Sequence, residues 1–144
     1  MPEQLVIYTA IMGRIRDDCG RTLVPKGLKL DEDTRVVLIT DRDIARDFEP
    51  VKAGRWELME PIWTHPNGRR AARYHKLHSH LLFPDAPLSI WFDGSQQLTT
   101  NPRGIFERHL PNTDIAAFKH PDRTCVYQEH RACVLLRKDN PKVM

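Results

Sequence analysis

The chain alternates short apolar runs with longer mixed segments. Leu5-Val-Ile-Tyr-Thr-Ala-Ile11 is rich in β-branched residues and is closed by Gly13, which fits a strand buried on both faces. Val36-Val-Leu-Ile-Thr40 reads as a second buried strand ending at Asp41, and Trp56 to Met59 as a shorter third before Pro61. Residues 14–34 are polar, with Pro25 and two glycines, and read as an irregular excursion. From Arg69 to Phe83 the spacing is helical. Ala71, Tyr74, His78 and Leu81 or Leu82 share one face, while Arg70, Arg73, Lys76 or Leu77, and His80 share another. Asn67, in the turn His65-Pro-Asn-Gly68, is placed to cap this helix, and Pro84 stops it. Leu88-Ser-Ile-Trp-Phe92 is a further strand closed by Asp93-Gly94. Asn101 to Leu110 predicts a short helix with Pro102 in its first turn, Ile115 to Phe118 a last strand, and Val126 to Arg137 a last helix.

Strands alternating with helices predict an α/β fold, a largely parallel sheet with helices on its faces. Ligands of such sheets bind outside the carboxyl ends of the strands. Three loops are thereby selected: Tyr8 to Gly13, Thr40 to Asp43, and Asp93 to Gln97.

A length of 144 residues fits a single domain over residues 1–144, and 40% hydrophobic with 28% charged residues is ordinary for a soluble globular chain. The apolar runs are too short for a membrane span, and Pro2 and Glu3 replace the basic start of a secretory leader. Cys19, Cys125 and Cys133 are odd in number and lack metal-ligand spacing, so reduced thiols and a cytoplasmic location are expected. The net charge of +3 is too mild to argue for nucleic acid. Its distribution says more. Between Glu60 and Asp85 there is no acidic residue, yet the interval holds Arg69, Arg70, Arg73, Lys76 and four histidines, His65, His75, His78 and His80.

Three features carry candidate chemistry. Asp93, at the end of an apolar strand and followed by a glycine, can hold a divalent cation beside a diphosphate, and equally can do no more than make a turn. Arg70, Arg73, Lys76 and His80, at spacings of three and four, can present a cationic row to one anionic ligand; the plain alternative is a solvated helix face, which normally mixes its charges. The histidines match no zinc pattern, and His78 is expected to pack between helix and sheet. His120-Pro-Asp-Arg123 is a loop that either reaches the site or is a simple turn.

In order, Ile7-Tyr-Thr-Ala-Ile-Met-Gly13, Thr40-Asp41, Arg70-x-x-Arg73-x-x-Lys76-Leu-x-x-His80, Phe83-Pro-Asp85, Ser89-Ile-Trp-Phe-Asp-Gly94 and His120-Pro-x-Arg-x-Cys-x-Tyr-x-Glu129 form a series. That series resembles a glycosyltransferase-like domain family found in plant Golgi proteins linked to pectin and mucilage and in bacterial or phage polysaccharide proteins. The resemblance implies a GT-A-like (Rossmann-type), mostly parallel sheet flanked by helices, here compact or truncated. It implies a hexosyltransferase that takes a nucleotide-diphosphate sugar as donor and a glycan or other hydroxyl compound as acceptor, with Mn²⁺ or Mg²⁺ as cofactor. Tyr8, Thr9, Ala10 and Asp41 would lie by the nucleoside, Arg70, Arg73 and Lys76 would face the nucleotide, and Asp93 would take the place of the metal-binding aspartate. His120 and Glu129 are the remaining catalytic candidates. Two other readings stay open: a nucleotide-binding module without turnover, and, more weakly, a nucleic-acid-binding protein using the basic helix.

Overall fold

The computed structural model describes residues 4–13, 27–41, 43 and 56–137; Cys19, the segment before Gly27 and the residues beyond 137 lie outside them. Among the described residues there are four strands: β1 (Leu5–Ala10), β2 (Thr34–Ile39), β3 (Glu57–Met59) and β4 (Leu88–Trp91). They form one sheet in the order β3-β2-β1-β4. Every pairing is parallel, with Tyr8 opposite Val37 on one side and Trp91 on the other. The sheet therefore has one carboxyl edge. The chain lays down β1, β2 and β3 in one direction and then returns to place β4 on the far side of β1, so the order reverses between β1 and β4. That reversal is the switch point of Rossmann-type sheets, where a crevice opens outside the strand ends.

β1 sits at the centre, and all six of its residues are buried. Side chains alternate along it. Val6, Tyr8 and Ala10 join Val37 and Ile39 of β2 in a cluster with Leu82 and Phe83, while Ala72, Met59 and Trp91 pack at its margin. Leu5, Ile7 and Thr9, with Leu38, fall on the opposite face and are equally enclosed. Burying an aliphatic side chain of this size stabilises by roughly 1.5–3 kcal/mol relative to leaving it exposed, so β1 is the strand the fold can least lose.

The basic stretch forms two helices, α1 (Gly68–Leu77) and α2 (Ser79–Leu82), where the pattern predicts one. The break at His78 has a local cause. Its Nδ1–H donates to the Tyr74 carbonyl at 2.7 Å, the acceptor its own backbone N–H would use in a continued α-helix. That backbone N–H turns instead to the His75 carbonyl at 3.3 Å. The new turn carries Leu82 and Phe83 into the core and leaves Leu81 outside. At its start α1 behaves as expected, with Asn67 Oδ1 accepting from the N–H groups of Arg69 and Arg70 at 3.0 and 3.4 Å. The helix packs through small residues. A Cβ built on Gly68 would lie 2.9 Å from the Met12 carbonyl oxygen, so a side chain there would push α1 away from the end of β1.

Helix α3 (Arg103–His109) follows Asn101 and Pro102, as the sequence predicts. Arg103 donates to Asp31 at 2.8 Å and to Asp33 at 2.7 Å, and Asn101 donates to Asp31 at 3.0 Å, clasping the entrance to β2. The chain divides into two compact units, Met1–Phe106 and Glu107–Met144. In the second, α4 (Val126–Leu135) forms where predicted. Ile115–Phe118 does not form the expected strand. Thr113 Oγ1 accepts from the Ile115 N–H at 3.4 Å and donates to its carbonyl at 3.0 Å, so a local turn takes both backbone groups that a ladder would need. Ile115 and Phe118 are exposed. No helix among the described residues is long and apolar enough to cross a membrane.

Candidate functional site

The carboxyl edge at the β1/β4 switch point brings together Trp91, Asp93, Gln96 and Lys76, all within the first unit. Period-two alternation puts Trp91 and Asp93 on the same side of their segment, and the Trp91 indole N–H donates to Asp93 Oδ1 at 2.8 Å. The loop after β4 closes on itself. The Gln96 N–H reaches the Asp93 carbonyl at 2.9 Å, and the Asp93 N–H donates to Gln96 Oε1 at 3.1 Å. Lys76, in the last turn of α1, lays its ammonium 5.6 Å from the centroid of the Trp91 ring and 3.7 Å from Asp93 Oδ1. The Trp91 ring in turn meets Tyr8 edge to face at 5.3 Å, and Tyr8 meets Phe83 likewise at 5.1 Å. A lysine, an aspartate and an aromatic face are thus held at one strand end by a packed aromatic core.

The residues predicted to face a nucleotide divide by position. Tyr8 is buried, and its hydroxyl donates to the Lys76 carbonyl at 3.1 Å, so it acts on the site through what it holds. Burial raises the Tyr8 phenol above its ordinary range, which outweighs a hydrogen bond from Ser79, and so keeps it a donor. Thr9 points to the opposite face of the sheet, and Ala10 closes the strand within the core. Asp41 is exposed at the carboxyl end of β2, where its Oδ1 accepts the Asp43 N–H at 2.8 Å. Along α1, at about 100° per residue, Arg70, Arg73 and Lys76 fan over about a third of the circumference. Lys76 is the member of that row brought to Asp93.

The resemblance implies a divalent cation at Asp93, and the donor set there does not fit one. Asp93 is followed by Gly94 and Ser95, so the loop start offers one carboxylate. One of its oxygens already faces the indole N–H and the ammonium. Among the described residues, no three His, Cys, Asp or Glu side chains gather into a group able to hold a metal ion.

His120 and Glu129 lie in the second unit and form a cluster with Arg123. Arg123 Nη1 is 2.8 Å from Glu129 Oε2 and 2.8 Å from His120 Nε2, while the Asp122 N–H donates to His120 Nδ1 at 3.1 Å. Both nitrogens of His120 and an oxygen of Glu129 are thereby engaged within the cluster.

The histidine that matters to the helix packing is His75, where the sequence pattern points to His78. His75 is fully buried; its Nε2 accepts the Ile62 N–H at 3.1 Å and its Nδ1–H donates to the Ala71 carbonyl at 2.7 Å. Desolvation, outweighing that backbone bond, lowers its pKa below the ordinary 6.5. His78 instead stacks on Tyr74 at 4.0 Å, and Tyr74 stacks on Trp63 at 5.0 Å. Trp91 is a site residue that sequence reasoning did not single out. Its two-residue spacing from Asp93 on a strand end is the signal that finds it.

Residues 18–144 match the TOD1/MUCI70, glycosyltransferase-like domain. The chain is 32% identical over 106 residues to the probable hexosyltransferase MUCI70 of Arabidopsis thaliana, an alignment covering 72% of this chain and 18% of that protein. No solved structure matches the chain.

Proposed function

The chain belongs to the TOD1/MUCI70 glycosyltransferase-like domain family, and on that premise we propose that it binds a nucleotide-diphosphate sugar at the β1/β4 switch point and transfers the hexose to a hydroxyl acceptor. The observation that carries this reading is the meeting of Lys76, Trp91 and Asp93 at the carboxyl edge where the strand order reverses. An open parallel sheet offers its ligand crevice at that edge.

Hexosyl transfer breaks the bond between the anomeric carbon and the diphosphate oxygen and forms one to the acceptor oxygen. Charge accumulates on the departing diphosphate, so a fixed cation there lowers the barrier. Lys76 is suited to that task because Tyr8 fixes its backbone and Trp91 lies under its ammonium. Asp93, half exposed beside it, is an acceptor for sugar hydroxyls. The proton released by the acceptor leaves to solvent or to the diphosphate.

A second reading, a module that binds the donor without turnover, is favoured by one observation: His120 and Glu129, the candidate bases, are both engaged by Arg123. A single assay separates the two. The chain is incubated with a panel of uridine and guanosine diphosphate hexoses, with and without oligosaccharide acceptors, and released nucleoside diphosphate is measured. Release that depends on acceptor supports transfer. Binding of a donor with no release supports the module. Neither binding nor release removes the sugar-nucleotide reading.

A further inference from the structure

We infer that Lys76, in place of a divalent cation on Asp93, supplies the positive charge against the diphosphate of the donor, an inference that rests on the sugar-nucleotide reading of this edge. Asp93 is a single carboxylate, and a cation such as Mg²⁺ or Mn²⁺ held by so few protein ligands depends on free carboxylate oxygens and open space for its waters. Here Oδ1 accepts the Trp91 indole N–H at 2.8 Å and faces the Lys76 ammonium at 3.7 Å. A dication on that oxygen would have to displace both the indole N–H and the ammonium, with no second carboxylate at the loop start to help hold it. The same two contacts that oppose a metal place the lysine well.

The lysine is anchored at both ends. Its backbone carbonyl accepts the hydroxyl of the buried Tyr8, and its ammonium lies over the Trp91 ring. The side chains of Lys76 and Asp93 are 45% and 58% exposed, so water screens their ion pair and it is cheaply broken. Lys76 can therefore turn from Asp93 to an incoming diphosphate while Trp91 still supports it. Asp93 then positions the lysine ahead of binding and leaves it free to engage the more highly charged ligand. Arg73, one turn earlier in the same row, is exposed, whereas Lys76 is the member of the row that meets both Trp91 and Asp93.

Calorimetric titration of the 144-residue chain with uridine diphosphate and guanosine diphosphate tests this, run once in EDTA and once with Mn²⁺. The expected result is binding of one nucleotide in EDTA, within about twofold of the affinity in Mn²⁺. Lys76→Met should weaken that binding about 10- to 100-fold, the range for losing a charge-assisted contact. Lys76→Arg should retain most of it, and thermal melts of both variants verify that each is folded. Binding that requires Mn²⁺, is abolished by Asp93→Asn and survives Lys76→Met would overturn the inference while leaving the sugar-nucleotide site standing. If neither nucleotide binds in either buffer, the site reading itself fails and the role of Lys76 falls with it.

Discussion

The Tyr8 hydroxyl donates to the backbone carbonyl of Lys76 at 3.1 Å, joining the central strand to the last turn of the basic helix across 68 positions of sequence. Core packing and site geometry therefore share one residue. Tyr8→Phe keeps the ring contacts with Phe83 and Trp91 and removes the hydroxyl with its bonds to the Lys76 carbonyl and to Ser79, so the expected loss of stability in urea is about 1–3 kcal/mol. A larger loss would mean that the aromatic packing had also shifted. No loss would mean that these bonds contribute nothing.

Gly68 tests how closely α1 must approach the end of β1. Alanine is the better helix former by up to about 1 kcal/mol in a helix interior, and by less in the first turn. Against that stands a Cβ 2.9 Å from the Met12 carbonyl oxygen, a backbone atom that cannot step aside cheaply. Overpacking of this kind costs about 1–3 kcal/mol, so the clash wins. Gly68→Ala should destabilise by about 1–2 kcal/mol in denaturant unfolding; a stabilised variant would show that the helix terminus yields freely.

His75 gives the first unit a predicted acid sensitivity. Burial lowers its pKa in the folded chain below the 6.5 of the unfolded one. The unfolded chain then binds more protons in the interval between those two values, and stability rises with pH across it. The contribution of His75 is complete above about pH 6.5 and is lost as the pH falls below that value. His75→Leu should remove this dependence. It should also cost about 1–3 kcal/mol at neutral pH, because the Ile62 N–H loses its acceptor. Melting temperatures measured across the acidic range check both expectations, and an unchanged pH profile in His75→Leu would assign the sensitivity elsewhere.

Arg103 makes a second pH-dependent contribution with the opposite partner. Its hydrogen bond, with help from Asn101, holds the Asp31 carboxyl below its ordinary 3.8 against a partial desolvation. Stability from this pair is complete above that value and is lost as the pH falls through the lowered one. Arg103→Gln should therefore flatten the stability curve at the acidic extreme, seen by circular dichroism. A curve as steep as that of the unaltered chain would show the clasp to be energetically silent.

Much of the sheet is legible in the sequence because β1 and the Val36–Ile39 part of β2 are nearly continuous apolar runs, as strands buried on both faces are, while the half-buried Thr34 and Arg35 that open β2 fall outside the run. The parallel arrangement and the strand-end loops follow from the alternation of elements. The break at His78 is not legible, since it arises when an imidazole captures the Tyr74 carbonyl and helical periodicity is blind to that competition. The failed strand at Ile115–Phe118 has the same origin in the Thr113 hydroxyl. In the site, charge spacing found Lys76 and the strand end found Asp93. Their meeting was hidden because it depends on Trp91, whose apolar character reads as core and whose indole N–H acts as a site group. His75 was similarly hidden among neighbouring histidines; it lies one helical turn after the buried Ala71, whose carbonyl takes its ring N–H, and that bond is visible only in the structure.

A nucleotide site at the β1/β4 edge can be read directly from the tryptophan indoles. The chain has three, Trp56, Trp63 and Trp91, and of these Trp91 donates its N–H to Asp93. Titrating a uridine or guanosine diphosphate into the ¹⁵N-labelled chain should shift the Trp91 indole resonance in a saturable manner, as Lys76 leaves Asp93 for the ligand. Trp56, which is buried, and Trp63, which stacks on Tyr74, should stay in place. A saturable shift confined to Trp63, or binding that leaves the Trp91 indole unmoved, would contradict a nucleotide site at the β1/β4 edge.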